Sequence, residues 1–136
     1  MIKTISDLHP LLVHFPIVLI LLGLLFNLLS YRDYKWQQAE FLLDILTFVS
    51  LVFPVWFVHA HYHGNDGLVL EYYQKHSTLA LLLFWVVALL VLVRILEYYY
   101  PKRVSIYVVA IIKILATVIT ILVGHYGAYL THVLKF

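Results

Sequence analysis

Four long apolar stretches constrain the fold of this 136-residue chain more than any other feature. They cover approximately residues 11–30, 41–59, 77–96 and 104–129. A helix of about 20 residues rises about 1.5 Å per residue and crosses about 30 Å of hydrocarbon. Because the interior of a bilayer offers no water to backbone amides, a spanning segment has to form its hydrogen bonds internally. The sequence therefore predicts one all-α domain over residues 1–136, an antiparallel four-helix transmembrane bundle in the lipid bilayer, with helices at about 9–30, 38–60, 75–98 and 104–131.

The composition supports a membrane protein and excludes several other classes. Hydrophobic residues make up 64% of the chain and charged residues 12%, against about 45–50% and about 25% in soluble domains. A net charge of +2 offers no basic surface for nucleic acid. Without cysteine, the chain cannot form disulfides, iron–sulfur clusters or the covalent attachment of a c-type haem. The common catalytic motifs are also missing from the sequence, which favours a carrier or binding protein over an enzyme.

Basic residues predict how the bundle is oriented. The connections that follow the first and third apolar stretches contain Arg32, Lys35, Lys102 and Arg103. The opposite membrane face carries Lys3, Lys75 and Lys135. Because cytoplasmic loops are enriched in lysine and arginine, both termini are predicted to lie outside.

All eight histidines fall at one end of the predicted bundle. They begin the first and third apolar stretches and close the second and fourth: His9, His14, His59, His61, His63, His76, His125 and His132. Because neighbouring helices run in opposite directions, these positions reach the same membrane face. Neutral imidazole binds haem iron, zinc and copper, and helical bundles build such sites from side chains on facing helices.

Three interpretations of these histidines remain open. In the leading one, two histidines from different helices bind the iron of one haem b, and the protein is an electron-transfer cytochrome. The candidate ligands are His14, His76, His125 and His132, together with His9. In the second, the protein binds or transports a zinc, copper or iron ion through His14, His76, His125, His132, His59, His61 and His63. In the third, it is a structural subunit of a membrane redox complex, and its histidines are interfacial or sense pH.

Three charged residues lie inside the other half of the predicted bundle. Asp44, Arg94 and Lys113 are each about 10–13 Å from the end that lacks histidines. An unpaired charge at such a depth costs at least about 2.5 kcal/mol, so Asp44 is expected to form a structural ion pair with Arg94 or Lys113. A proton or quinone path is the alternative. Glu40 precedes Asp44 by one helical turn, and its charge is expected to matter less to stability.

Two short motifs are more specific than apolar sequence in general. Residues 8–17 are L-H-P-L-L-V-H-F-P-I, and residues 124–132 are G-H-Y-G-A-Y-L-T-H. The first resembles the L-H-P-x-x-V-H-F-P-I signature of a bacterial membrane-domain family, domain of unknown function 2231. The second resembles the G-H-x-G-G-x-L-T-H motif of one branch of that family, with Ala128 in place of a glycine and Val133 in place of the glycine that often follows. His76 falls where the family tends to carry a histidine at the start of the third helix.

The resemblance implies four helices in the bacterial inner membrane and a redox setting. Relatives in that branch are often fused to Rieske or c-type cytochrome domains. Because this chain has no cysteine to build either domain, redox partners at the outer face would be separate polypeptides. A homo-oligomer is a further candidate assembly.

Overall fold

A computed structural model of the protein consists of four α-helices. In chain order they are α1 (Ile5–Ser30), α2 (Lys35–Trp56), α3 (Gly67–Tyr99) and α4 (Ile106–Leu134). The structure describes residues 5–30, 35–56, 67–100 and 106–134, and the side chains within them over 14–29, 36–52, 54–56, 67–100 and 107–129. These ranges contain no strand, and the predicted all-α class is confirmed.

Three of the helices contain segments that are long and apolar enough to cross a membrane: Trp36–Trp56, Gly67–Tyr99 and Tyr107–Tyr129. In α1, the apolar part whose side chains are described, His14–Leu29, is shorter, although the whole helix has 26 residues. The protein is therefore a membrane helical bundle. The membrane face on which its termini lie stays a prediction.

The start of α3 differs from the sequence-based expectation. The helix begins at Gly67, whereas hydropathy placed its start near residue 75. The added turns are held by Val69, which is buried, and by Glu71 and Lys75, which pair at 2.7 Å one helical turn apart on an exposed face. Hydropathy marks where the long apolar segment begins, and these turns, which include Glu71 and Lys75, continue the same helix beyond that point.

The four helices form a ring in which each helix packs against two neighbours. The contacts join α1 to α2 and α4, and α3 to α2 and α4. Neighbouring helices are antiparallel, as the pairing of Asn27 with Glu40 and of Gly23 with Asp44 shows for α1 and α2. We call the end at which α1 and α3 begin the histidine end, and the other end the charged end.

Apolar side chains occupy both the interior and the outer surface of this ring. The interior includes Val87, Leu90 and Ala116, which are almost fully buried. Leucine, isoleucine and valine side chains on the outward faces are roughly half-exposed, as expected for surfaces that contact lipid. Because the membrane-crossing part of each helix is apolar on both its inner and outer sides, polar side chains in the interior distinguish one helix face from another there.

Candidate functional site

A group of charged side chains lies between the helices near the charged end. Its members are Glu40 and Asp44 of α2, Arg94 and Glu97 of α3, and Lys113 of α4. Four of these side chains are 9% exposed or less: Glu40, Asp44, Arg94 and Lys113. The side chain of Glu97 is 27% exposed. We call these five residues the buried charge cluster.

Lys113 places its ammonium group between the two carboxylates of α2. Its Nζ atom lies 2.7 Å from Glu40 Oε1, 2.9 Å from Asp44 Oδ1 and 3.2 Å from the carbonyl oxygen of Gly23. An ammonium group has three N–H donors, and these contacts use all of them. Since burying an unpaired ammonium costs several kcal/mol, the contacts explain how the bundle tolerates a lysine at this depth.

Arg94 joins the cluster from the side of α3. Its guanidinium group places Nε 3.1 Å from Asp44 Oδ2 and Nη2 3.4 Å from Glu40 Oε1. Its Nη1 atom donates to Glu97 Oε2 at 2.6 Å. From α1, the amide of Asn27 donates to Glu40 Oε1 at 2.8 Å. All four helices therefore contribute to one continuous set of polar contacts.

The structure brings together Asp44, Arg94 and Lys113, the three charges that the sequence placed at matching depths, and Asp44 contacts both bases. Sequence reasoning missed the position of Glu40, which is 1% exposed and also contacts both bases. It left out Glu97 as well. Two features of the sequence could have identified these residues: the one-turn spacing of Glu40 and Asp44, and the three-residue spacing of Arg94 and Glu97.

A small cavity borders the buried charge cluster. Its volume is about 10 Å³, and all four helices line it, including Gly23, Asp44, Thr47 and Lys113. A volume of about 10–15 Å³ is what the centre of one water molecule requires. The cavity therefore has room for one water beside the Asp44–Lys113 pair.

At the histidine end, His76 of α3 lies against α4. Its Nδ1 atom is 3.1 Å from the carbonyl oxygen of Val123. Because a carbonyl oxygen only accepts hydrogen bonds, Nδ1 of the neutral ring carries the proton and Nε2 carries the lone pair. Gly127 lies under the same ring, since a Cβ added there would stand 3.0 Å from His76 Cε1 and 3.3 Å from Nδ1. A side chain at position 127 would push the imidazole away.

For the other predicted histidine ligands, the structure gives no contact comparable to that of His76 with α4. His14 of α1 and His125 of α4 are exposed, and the ring of His125 lies 5.4 Å from that of Tyr126. Five predicted ligands fall outside the described side chains: His9 and His132, which lie within α1 and α4, and His59, His61 and His63, which lie outside the described residues. Among the described residues, no three histidine, aspartate or glutamate side chains form a group that would hold a metal ion.

Aromatic contacts hold α3 against α4 around His76. The ring of Tyr72 stacks on Tyr129 at 4.1 Å and meets the ring of Tyr126 edge-on at 5.3 Å. The Nζ atom of Lys75 lies 5.9 Å from the centre of the Tyr72 ring and 5.8 Å from that of Tyr126. These contacts fix the position of the helix turn that carries His76.

These features define a membrane four-helix bundle that buries a charge cluster near one end and orients a histidine near the other. The chain belongs to DUF2231, a family described as predicted membrane protein, whose model matches residues 6–135. The resemblance drawn from two short motifs is thereby confirmed over nearly the whole chain. No curated protein matches the chain, and no solved structure matches it.

Proposed function

We propose that the protein binds haem b at the histidine end and carries electrons, with His76 as one of the residues that would hold the iron. The observation behind this proposal is the setting of the imidazole, whose Nδ1–H donates to the Val123 carbonyl at 3.1 Å. Metal-binding histidines commonly donate a hydrogen bond from the N–H of their other ring nitrogen to a carbonyl or carboxylate, which fixes the ring and increases its basicity. In this arrangement Nε2 is the nitrogen that would coordinate iron.

Imidazole, which the histidine end supplies, is a common ligand of haem iron. Two imidazoles would be enough to hold the iron of a b-type haem, which is fewer side-chain ligands than a zinc site needs. Because Gly127 has no side chain, the His76 ring can lie against α4 at this position. The second ligand is expected from the histidines of α1 and α4 at the same end: His9, His14, His125 or His132. Bound haem would supply one-electron transfer, and the chain would hold the iron through imidazoles and limit its contact with water through apolar helices.

The test is the absorption spectrum of the purified protein, oxidised and reduced, after expression with a supply of haem. We expect a Soret band that shifts on reduction and iron at about one atom per chain. His76→Ala should lose most of this haem. His61→Ala is the control, because His61 is a candidate ligand for a metal ion but not for haem.

Each outcome of this test separates the alternatives. A protein that stays colourless after haem is offered overturns the proposal. If the colourless protein carries zinc, copper or iron and loses it in His61→Ala, the metal-ion interpretation is favoured. A colourless, metal-free protein would favour a structural subunit of a redox complex.

The same proposal gives the location of redox partners. An electron carrier with haem at the histidine end would exchange electrons with separate redox proteins at that membrane face, which the basic residues predict to be the outer face of the inner membrane. Because the chain has no cysteine, single cysteines report this orientation directly. In intact cells, a membrane-impermeant maleimide should label Asp66→Cys and leave Lys102→Cys unlabelled, and the reverse pattern would place the histidine end inside.

A further inference from the structure

We propose that the buried charge cluster binds one exchangeable proton, taken from the aqueous phase at the charged end. The proposal does not depend on haem. The cluster contains three carboxylates, Glu40, Asp44 and Glu97, but two basic groups, Arg94 and Lys113. With every group ionised, its net charge is −1, from three negative and two positive charges.

A surplus negative charge is unfavourable where this cluster lies. Four of its five members are 9% exposed or less, and in a medium of low dielectric constant charges that do not balance are disfavoured, which favours protonation of one carboxylate. The part of α1 that faces the cluster adds the Asn27 amide and the Gly23 carbonyl, neither of which is charged. Proton binding forms one O–H bond on a carboxylate and converts hydronium to water, and no electron moves.

Glu97 is the least buried member of the cluster and lies two residues before the end of α3 at the charged end. Its side chain is 27% exposed, whereas Arg94, its partner at 2.6 Å, is 9% exposed. Arg94 in turn contacts Asp44 at 3.1 Å, and Asp44 contacts Lys113 at 2.9 Å. These contacts couple the charge of a partly exposed carboxylate to that of Asp44, while Arg94 stays protonated and does not itself pass on the proton. A change of charge at Glu97 reaches the interior without separation of the helices.

A purely structural ion-pair cluster makes a different prediction. If the pairs served only to hold the helices together, every carboxylate would stay ionised near neutral pH. If the cluster binds a proton, one carboxyl group is protonated in part of this range. The number of protonated carboxyl groups therefore separates the two roles.

Infrared spectroscopy of the protein in lipid nanodiscs counts these groups through the C=O stretching band of protonated carboxyls, which shifts in D₂O. We expect a band near neutral pH that disappears as the pH rises. Glu97→Gln should abolish it, because two carboxylates then balance two bases. Lys113→Met should increase it about twofold, because two carboxylates then lack a base.

Glu71→Gln is the matched control, because Glu71 pairs with Lys75 at an exposed position outside the cluster. This variant should leave the band unchanged. Should Lys113→Met fail to fold, Glu97→Gln still decides the question, since Glu97 is partly exposed and its replacement leaves both bases paired. The proposal is overturned if the helical wild-type protein shows no such band, if the band survives Glu97→Gln, or if Glu71→Gln also removes it.

Discussion

The close approach of His76 to Gly127 leads to a prediction in which two glycines of the same helix respond in opposite ways. A Cβ at position 127 would stand 3.0 Å from His76 Cε1, whereas a Cβ at position 124 would meet nothing within 4 Å. Gly127→Ala is therefore expected to displace the imidazole, and Gly124→Ala is the matched control. Both changes replace glycine by alanine within α4.

The expected difference in the free energy of unfolding follows from one effect that the two variants share and from others that only Gly127→Ala has. Both gain about 1 kcal/mol of helix stability from the replacement of glycine by alanine. At position 127 the displaced ring also loses much of its 3.1 Å hydrogen bond to Val123. That loss costs about 1 kcal/mol, and the crowding adds about 1–3 kcal/mol. Because His76 is only partly buried, we expect Gly127→Ala to be less stable than Gly124→Ala by roughly 2 kcal/mol.

The assay is reversible unfolding of both variants in the same detergent, followed by helical circular dichroism. A double-mutant cycle with His76→Ala identifies the cause, because the penalty at position 127 should disappear once the imidazole is absent. Haem content provides a second measurement, which should fall in Gly127→Ala and not in Gly124→Ala. Equal stability of the two glycine variants, or a penalty that persists without His76, would show that the imidazole does not rest on Gly127.

Three further predictions concern the buried charge cluster, and unfolding in detergent tests each of them. Lys113→Met should destabilise the protein by about 3–5 kcal/mol, and the addition of Asp44→Asn should recover part of this loss, because the double variant removes a carboxylate left without its base. Glu40→Gln and Asp44→Asn should cost similar amounts, since each carboxylate contacts both bases; a much larger loss for Asp44→Asn would restore the ranking expected from the sequence. Gly23→Ala should stabilise the protein by about 1 kcal/mol, because alanine favours a helix over glycine. The added Cβ would stand 3.6 Å from Asp44 Oδ1 and 3.8 Å from Lys113 Nζ, which are ordinary contacts. A loss of stability would show that the site is tighter than these distances imply.

The sequence predicted the meeting of charges at the charged end because depth along a helix can be counted from its ends. Asp44, Arg94 and Lys113 lie at similar depths, and charges inside a membrane need partners. Counting does not give the rotation of each helix about its axis. The rotation and the register of α1 against α2 place Asn27 opposite Glu40. The packing of α3 and α4 against α2 brings Arg94 and Lys113 into contact with Glu40. These contacts depend on the packing of all four helices.

At the histidine end, too, the sequence predicted the depth of residues along the helices but not the rotation of each helix about its axis. The sequence predicted that the histidines gather at one end, and it could not predict which of them faces a neighbouring helix. In a soluble helix, the polar face would indicate the rotation. Here Gln74, Lys75, Ser77 and Thr78 place polar residues on several sides of α3 around His76, so the 3.6-residue period marks no single polar face. The inward position of His76 depends on the close approach that Gly127 permits, while His125 on the same α4 is exposed.

The helix α4 carries a part of both sites, and their separation predicts how changes at the two ends combine. Lys113 and Gly127 are 14 residues apart on one continuous helix, which is about 21 Å along its axis at about 1.5 Å per residue. Substitutions more than about 10 Å apart without shared partners usually add within about 0.5 kcal/mol. The stability changes of Gly127→Ala and Glu40→Gln should therefore add in the double variant if α4 is only a common scaffold. A coupling well above 1 kcal/mol would refute this independence, because energy passes between such distant sites only when the helix between them has two alternative positions. In that case, proton binding at the charged end and the position of the imidazole at the histidine end would be linked through movement of α4.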